Sequence, residues 1–200
     1  METITNLSGF ILPVGAVSDW KGSIVASISA YLGPVPHQRC LTHVTRTAKN
    51  LLPKNSPFMA TLRLRSIAAQ LINVGSRKEK EEWLRQLDEW RKDYEYMLTE
   101  KTISFDTKHK WWYTHGNLRR GYNLLSKEQE PFFVHLTNPL IPKSNNSVEG
   151  VISQVSGKLA DHRGMKTQQQ VSFLFWYMAF SRVKTKEDLK KLWGEWRKKR

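Results

Sequence analysis

Three residues near the N-terminus, Asp19, Cys40 and His43, have the types and spacing that polar chemistry requires. Asp19 follows a short apolar, β-branched run (12–18) that favours a buried strand. Cys40 and His43 are three positions apart in a predicted helical turn, so their side chains face the same side. The pattern predicts an acid at a strand end facing a Cys-x-x-His pair, an arrangement that is hard to explain by packing alone.

These residues are positioned by elements in the order strand, helix, strand, helix. The first predicted helix spans 20–32, because apolar residues recur there at helical spacing, and Gly33 with two nearby prolines ends it. A second short strand leads into Gln38, Arg39 and Cys40. The second helix then begins with the Cys-x-x-His segment.

From residue 48 to about residue 100 the pattern is helical. One helix carries an apolar stripe at Leu64, Ile67, Ala68, Leu71 and Ile72. A second helix begins at a predicted capping box, Ser76 with Glu79, and runs to about Leu98. Its buried face contains Trp83, Leu87, Trp90 and Tyr94, whose aromatic rings we interpret as ordinary packing residues.

The segment 101–125 mixes aromatic rings with cations. Trp111, Trp112 and Tyr113 lie beside Lys108, His109, Lys110, His115, Arg119 and Arg120. Such residues can stack on unpaired bases and contact phosphates. They can equally be core aromatics next to a basic helix face, and the residues alone leave both interpretations open.

A third segment of interest begins after a proline-rich stretch, where a helix is predicted to start near Val148. Glu149 in its first turn suits the helix dipole, so simple capping is one interpretation. A neighbouring face of small residues leaves room for a metal ion and a phosphodiester, which is the functional alternative.

Downstream, the apolar run 168–182 predicts a helix buried on most sides. Thr185 and Asp188 open a last helix.

Composition narrows the class of protein. The chain has 32 Lys and Arg against 18 Asp and Glu, a net charge of +14, which favours a polyanionic partner such as nucleic acid over a merely solvated surface.

Its single cysteine excludes an internal disulfide, and no zinc site has the usual Cys spacing. The N-terminus does not resemble a signal peptide, and the most apolar run, 171–180, is about half the ~20 residues of a membrane span. We expect an intracellular protein without a membrane contact.

The motifs together resemble the Mutator-like DDE transposases of bacterial insertion sequences, over about residues 10–182. The residues that carry the resemblance are Val17-Ser18-Asp19, Gln38-Arg39-Cys40-Leu41-Thr42-His43, Ser144-Asn145-Asn146-Ser147-Val148-Glu149-Gly150 and Asp161-His162-Arg163-Gly164. Their order matches the family from beginning to end. The family precedes the strand before Asp19 with another aspartate-bearing strand, which has no counterpart here, so the resemblance implies a truncated, C-terminal portion of such an enzyme.

The resemblance implies an α/β fold, helix-rich overall, with a partial ribonuclease-H-like core and a large all-helical insertion. The implied divisions are a first core segment at 1–47, the helical insertion at 48–136, a second core segment at 137–182 and a basic C-terminal helix and tail at 183–200. Two antiparallel amphipathic helices within 48–100 agree with such an insertion.

The resemblance also implies site roles. Asp19 and Glu149 would be catalytic acids that hold Mg²⁺ or Mn²⁺ for metal-dependent DNA strand cleavage and transfer. His43 would act near the scissile phosphate or Asp19, with Cys40 as buried support. Contacts to DNA are expected at His115, Arg119, Arg120, Asn145, Asn146, His162 and Arg163.

The expected partners are DNA, as transposon ends and target, and further copies of the chain or full-length transposase in a mixed assembly. The expected location is the cytoplasm, at the nucleoid of a bacterium or archaeon. Two other functions stay open: a non-catalytic DNA-binding regulator, and an inactive transposase remnant. Metal-dependent nicking separates the enzyme from the binder.

Overall fold

The computed structural model describes residues 13–103, 110–161 and 164–198. Helices account for about 68% of the described residues, and the rest includes two small sheets, so the fold is mixed α/β and dominated by helices. The chain divides into two units, Met1–Asn145 and Asn146–Arg200. In the first unit the elements are β1 Ala16–Ser18, α1 Gly22–Leu32, β2 His37–Arg39, α2 Leu41–Leu51, α3 Met59–Gln70, α4 Arg77–Thr99, β3 Lys101–Ile103, β4 Trp111–Tyr113, α5 Gly116–Ser126 and α6 Val134–Thr137. Short 3-10 turns at Leu71–Asn73 and Glu130–Phe132 complete it.

The strands β1 and β2 pair in parallel through the crossover helix α1, in the predicted order. Ser18 pairs with Arg39, and β1 is shorter than the predicted strand 12–18. Gly15, just before β1, permits a very close approach: a Cβ there would lie 2.3 Å from Cδ1 of Ile141 and 2.8 Å from the carbonyl oxygen of Pro36. A larger residue would therefore push the start of the strand away from its neighbours.

The core of the first unit lies among α2, α3, α4 and α5. Two indoles fasten α4 to α3, since Nε1 of Trp83 donates to the carbonyl of Ile67 and Nε1 of Trp90 to that of Ala60, both at 2.8 Å. Both rings are buried, whereas Tyr94 is only partly buried against the same core. The prediction that these aromatics are packing residues is thus confirmed, since the Tyr94 ring also lies 5.5 Å from that of Trp90.

The start of α4 has the predicted cap. Oγ of Ser76 accepts from the backbone N–H of Glu79 at 3.2 Å, and Oε2 of Glu79 accepts from the N–H of Gly75 at 2.8 Å. The first bond satisfies a donor that a helix start otherwise leaves without a partner, whereas the second goes to the residue before the cap and not, as in a capping box, to Ser76 itself.

A β-hairpin follows α4. The strands β3 and β4 are antiparallel, and Thr102 pairs with Trp112. The prediction that the segment 48–136 is all-helical is wrong at the hairpin. Three-residue strands carry too little periodicity to be recognised, and their β-branched and aromatic residues show their preference only when a partner strand is present.

The described residues of the second unit form three helices: α7 Asn146–Asp161, α8 Thr167–Ser181 and α9 Lys186–Lys198. The predicted start of α9 is confirmed, because the backbone N–H of Asp188 donates to Oγ1 of Thr185 at 3.1 Å. The prediction that α8 is buried on most sides is wrong within this unit: Val171 and Phe175 are 61% and 59% exposed. Three helices offer too few neighbours to cover a helix that is apolar all round. None of the helices in the described ranges is long and apolar enough to cross a membrane.

Candidate functional site

Asp19 and Cys40 come to the same edge of the small parallel sheet. They follow β1 and β2, whose last residues, Ser18 and Arg39, are paired. The N–H of Cys40 donates to the carbonyl of Ser18 at 2.8 Å, which fixes the exits of the two strands against each other. Polar sites in α/β sheets commonly form at the carboxyl ends of parallel strands. The edge that carries Asp19 is therefore the candidate site of the first unit.

The carboxylate of Asp19 is held by its neighbour Lys21. Oδ1 accepts from the Lys21 N–H at 3.3 Å, and Oδ2 lies 3.2 Å from Nζ of Lys21. Partial burial acts to raise the pKa of Asp19, but the hydrogen bonds and charge of Lys21, with a contribution from His43, lower it below its usual value. Asp19 is therefore an anion at neutral pH, with only 19% of its side chain exposed.

The Cys-x-x-His pair flanks this carboxylate. Cys40 is fully buried and immediately precedes α2, while His43 is half-buried in the first turn of that helix. His43 is near enough to Asp19 for its charge to lower the pKa of the carboxyl group. His43 therefore acts electrostatically on Asp19, and Cys40 immediately precedes the helix that carries His43.

Trp20 and Glu128 belong to the same edge, although no sequence pattern predicted a role for either. Nε1 of Trp20 donates to Oε2 of Glu128 at 2.9 Å. Both residues have left-handed backbones, with φ of 67° for Trp20 and 50° for Glu128. No local pattern could have paired them, because they are 108 positions apart and neither is glycine.

Arg39 lies between aromatic rings at this edge. Its guanidinium carbon is 6.0 Å from the ring centroid of Trp20 and 5.4 Å from that of Phe132. Its Nε is buried and has no hydrogen-bond partner among the described residues. Burial lowers the pKa of Arg39, and the charge of Glu128 opposes that effect. Arg39 is therefore a partly desolvated cation at the same sheet edge as Asp19. It belongs to the sequence motif around Cys40.

Gln38 anchors the strand that carries Arg39. Its buried amide nitrogen donates to the carbonyls of Arg39 at 2.7 Å and Phe132 at 3.0 Å, and its oxygen accepts from the N–H of His135 at 2.9 Å. Nε2 of His135 in turn lies 3.0 Å from the carbonyl oxygen of Val74. These hydrogen bonds join β2 to segments that precede α4 and follow α5. They therefore hold this edge of the sheet in place.

The second predicted acid lies in the other unit. Glu149 is half-buried in the first turn of α7, where Asn146 is the first residue and Asn145 immediately precedes it. Among the apolar residues described in this helix, Val155 is buried and Val148 is 56% exposed. Asp19 belongs to the first unit and Glu149 to the second. His162 and Arg163 lie outside the described residues.

The three DNA-contact residues predicted in the first unit before residue 145 differ in what they touch. Nε2 of His115 lies 3.2 Å from Oε2 of Glu100, and Arg119 donates to the carbonyl of Leu98 at 2.9 Å. Both side chains therefore contact other segments of the chain. Arg120, in contrast, is exposed.

The predicted metal ligands have suitable chemistry. Asp19 and Glu149 offer carboxylate oxygens, which hard ions such as Mg²⁺ and Mn²⁺ prefer. In the described ranges, no three His, Cys, Asp or Glu side chains are grouped so that they could hold a metal ion. Binding of Mg²⁺ or Mn²⁺ therefore stays a prediction.

Comparison of the chain with protein-family models, curated proteins and solved structures gave no match. A functional assignment therefore depends on the edge that carries Asp19, on the motif residues and on the charge of the chain.

Proposed function

We propose that this chain is a portion of a DDE transposase and takes part in DNA strand cleavage and transfer. The observation that carries the proposal is the common sheet edge, where Asp19 follows one parallel strand and the Cys40-x-x-His43 pair follows the next. The ionised state of Asp19 at neutral pH supports a role as a ligand or electrostatic partner of a cation. The order of the downstream motif, with Glu149 in the first turn of a helix, agrees with the same family.

In this proposal β1 and β2 are strands of a ribonuclease-H-like core, and residues 48–136 form its insertion. The core helices α3 and α4 and the hairpin would then belong to the insertion rather than to the catalytic sheet. The proposed insertion shares its hydrophobic core with the segment after Cys40, because Leu41 and Val44 of α2 belong to the same buried cluster as Trp83.

Each site residue has a proposed task. Asp19 and Glu149 would hold Mg²⁺ or Mn²⁺, ions that in such enzymes activate the attacking hydroxyl and stabilise the leaving oxygen. His43 would hydrogen-bond near the scissile phosphate, and the partly desolvated Arg39 at the same edge would attract the same anion. The partners would be transposon ends, target DNA and further transposase copies, at the nucleoid of a bacterium or archaeon.

A nicking assay tests this function. The purified chain is incubated with supercoiled plasmid and MgCl₂ or MnCl₂, and nicked circles are quantified. Nicking that requires the cation and is abolished in Asp19→Asn and Glu149→Gln would support the proposed roles of the two acids. The exposed Glu187 in α9 offers a matched control, since Glu187→Gln removes one surface charge outside the proposed site.

Nicking that persists in both site variants would contradict the proposed roles of the two acids. DNA binding with no nicking under any cation would favour the second candidate function, a DNA-binding regulator. The net charge of +14 supports that candidate, because each DNA phosphate that a Lys or Arg side chain neutralises releases counterions, which favours binding. For a DNA-binding regulator, the logarithm of the association constant should fall linearly with the logarithm of the salt concentration. The slope is about −0.9 per phosphate contact on duplex DNA.

A further inference from the structure

The β3–β4 hairpin presents two different faces. Lys101, Trp111 and Tyr113 share one face, because Lys101 pairs with Tyr113 and side chains alternate along a strand. On that face Nζ of Lys101 lies 4.0 Å from the ring centroid of Trp111, and the guanidinium of Arg119 lies 3.9 Å from that of Tyr113. The aromatic rings of this face are therefore already paired with cations of the chain.

These contacts hold the hairpin firmly. An isolated two-stranded hairpin is marginally stable in water. Here Arg119 both covers Tyr113 and donates to the carbonyl of Leu98, so it joins the hairpin to the end of α4. The N–H of Thr114 donates to the carbonyl of Glu100 at 3.0 Å and extends the ladder. The hairpin is consequently an extension of the helical body and not a loose arm.

Trp112 lies on the other face of the hairpin. Its partner in the register is Thr102, and the hydroxyls of Thr102 and Thr114 are 2.9 Å apart beside it. Among the residues that the structure describes, the ring of Trp112 has neither an aromatic neighbour nor a cation over it, and it is 50% exposed. A large flat ring is thus held in water by a rigid strand.

The sequence on either side of this ring is predominantly basic. Between residues 100 and 125 it carries Lys101, Lys108, Lys110, Arg119 and Arg120 against two acids, Glu100 and Asp106, and Oε2 of Glu100 lies 3.2 Å from Nε2 of His115. Of these, Lys101, Lys110 and Arg120 are exposed. Such a charge pattern complements a phosphate backbone and disfavours a neutral or basic protein partner.

We propose that Trp112 stacks on an unpaired DNA base while the exposed Lys110, two positions before it, contacts an adjoining phosphate. This inference deepens the proposed function and rests on its DNA-binding component. An indole has the flat face that base stacking requires, and stacking is available only where a base has left the duplex. A rigid strand lowers the entropy cost of binding, because the ring is already held in place. Trp112 thus makes the hairpin selective for distorted or single-stranded DNA.

The test compares three fluorescent DNA probes of one length and sequence by anisotropy titration of the full chain. The probes are a paired duplex, the same duplex with an internal unpaired loop, and one strand alone. We expect the looped and single-stranded probes to bind more tightly than the duplex. Trp112→Ala should weaken them by about 5- to 150-fold and leave duplex binding unchanged. Trp112→Tyr, which keeps a ring, should recover most of that loss.

Tyr96→Ala is the matched control, because Tyr96 is a 66% exposed aromatic on α4 and not on the hairpin. It should leave all three affinities unchanged. Equal weakening of all probes by Trp112→Ala, or no preference for unpaired DNA in the wild-type chain, would overturn the stacking role while leaving DNA binding intact. Failure to bind any probe would overturn both the stacking role and the proposed function. Circular dichroism of each variant confirms that the fold is retained.

Discussion

The indole Nε1 of Trp20 donates a 2.9 Å hydrogen bond to Oε2 of Glu128, and both residues have left-handed backbones. For a residue other than glycine such a conformation costs about 1–3 kcal/mol, and it persists only where the surroundings enforce it. Trp20 directly follows Asp19, and Glu128 lies beyond α5. The hydrogen bond between them therefore restrains both strained residues. The bond therefore fixes the direction in which the chain leaves β1 and presents the carboxylate of Asp19.

Replacement of Glu128 separates the hydrogen bond from the backbone strain. Glu128→Ala loses the acceptor and keeps the strain, so we expect the free energy of unfolding to fall by about 1 kcal/mol. Glu128→Gly also loses the acceptor but relieves the strain at φ 50°, so it should be the milder change. Urea unfolding measures both variants. A glycine variant less stable than the alanine variant would contradict the strain argument.

Gly15 tests the close approach at the start of β1. Gly15→Ala places a methyl group against Ile141 and the backbone oxygen of Pro36, and the backbone oxygen cannot rotate away. We expect a loss of about 1–3 kcal/mol in the free energy of unfolding. Gly22→Ala is the control, because a Cβ at Gly22 meets nothing within 4 Å and lies at the start of α1. Comparable losses in both variants, measured by thermal unfolding, would refute the proposed contact.

Trp83 tests the fastening of α4 to α3. Trp83→Phe keeps an aromatic ring but removes the N–H that bonds the carbonyl of Ile67. We expect a loss of about 1–3 kcal/mol, from the broken hydrogen bond and the smaller ring. Trp193→Phe, at a ring that is 52% exposed in α9, should change the unfolding midpoint little. A midpoint that is unchanged in Trp83→Phe would show that the bond contributes nothing to stability.

His135 makes stability depend on pH. Burial lowers the pKa of His135 below its usual 6.5, although the bond to the Val74 carbonyl opposes this. The unfolded chain therefore takes up a proton at a higher pH than the folded chain. The associated stability is complete above about pH 6.5 and is lost as the pH falls through that value towards the folded pKa.

Urea midpoints between about pH 7.5 and about pH 5 measure this effect, a window that lies above the titration of the carboxylates. We expect the wild-type midpoint to fall with pH and the His135→Gln midpoint to fall less. The pKa of His37 is also lowered by burial, so His37→Gln shows how much of the remaining slope belongs to that residue. Parallel slopes in the wild type and His135→Gln would exclude His135 as the source.

Sequence patterns were sufficient where the controlling interactions are local. The cap at Ser76 and the start of α9 at Thr185 depend on residues three positions apart, and each element of the strand–helix–strand order around Asp19 has its own local pattern. The burial of Trp83 and Trp90 also followed from periodicity, because a long amphipathic helix has one face that must be covered.

Other features depend on contacts that are distant in sequence. The bond between Trp20 and Glu128 spans 108 positions and the network from Gln38 to His135 spans 97, so no window of sequence contains them. The hairpin was missed because its strands are only three residues long. The exposure of α8 was missed because hydrophobicity reports what a helix would bury, and not whether enough neighbours exist to bury it.

A substitution of Arg119 would change two properties at once, the charge near the hairpin and the position of the hairpin. Its side chain covers Tyr113 and bonds the carbonyl of Leu98, so its charge and the position of Trp112 cannot be changed separately. Removing this one arginine would lower affinity for DNA through misplacement of the hairpin, even if the guanidinium never touches a phosphate. In a scan of basic residues, Arg120 therefore reports electrostatic attraction, whereas Arg119 reports the conformational equilibrium of the hairpin.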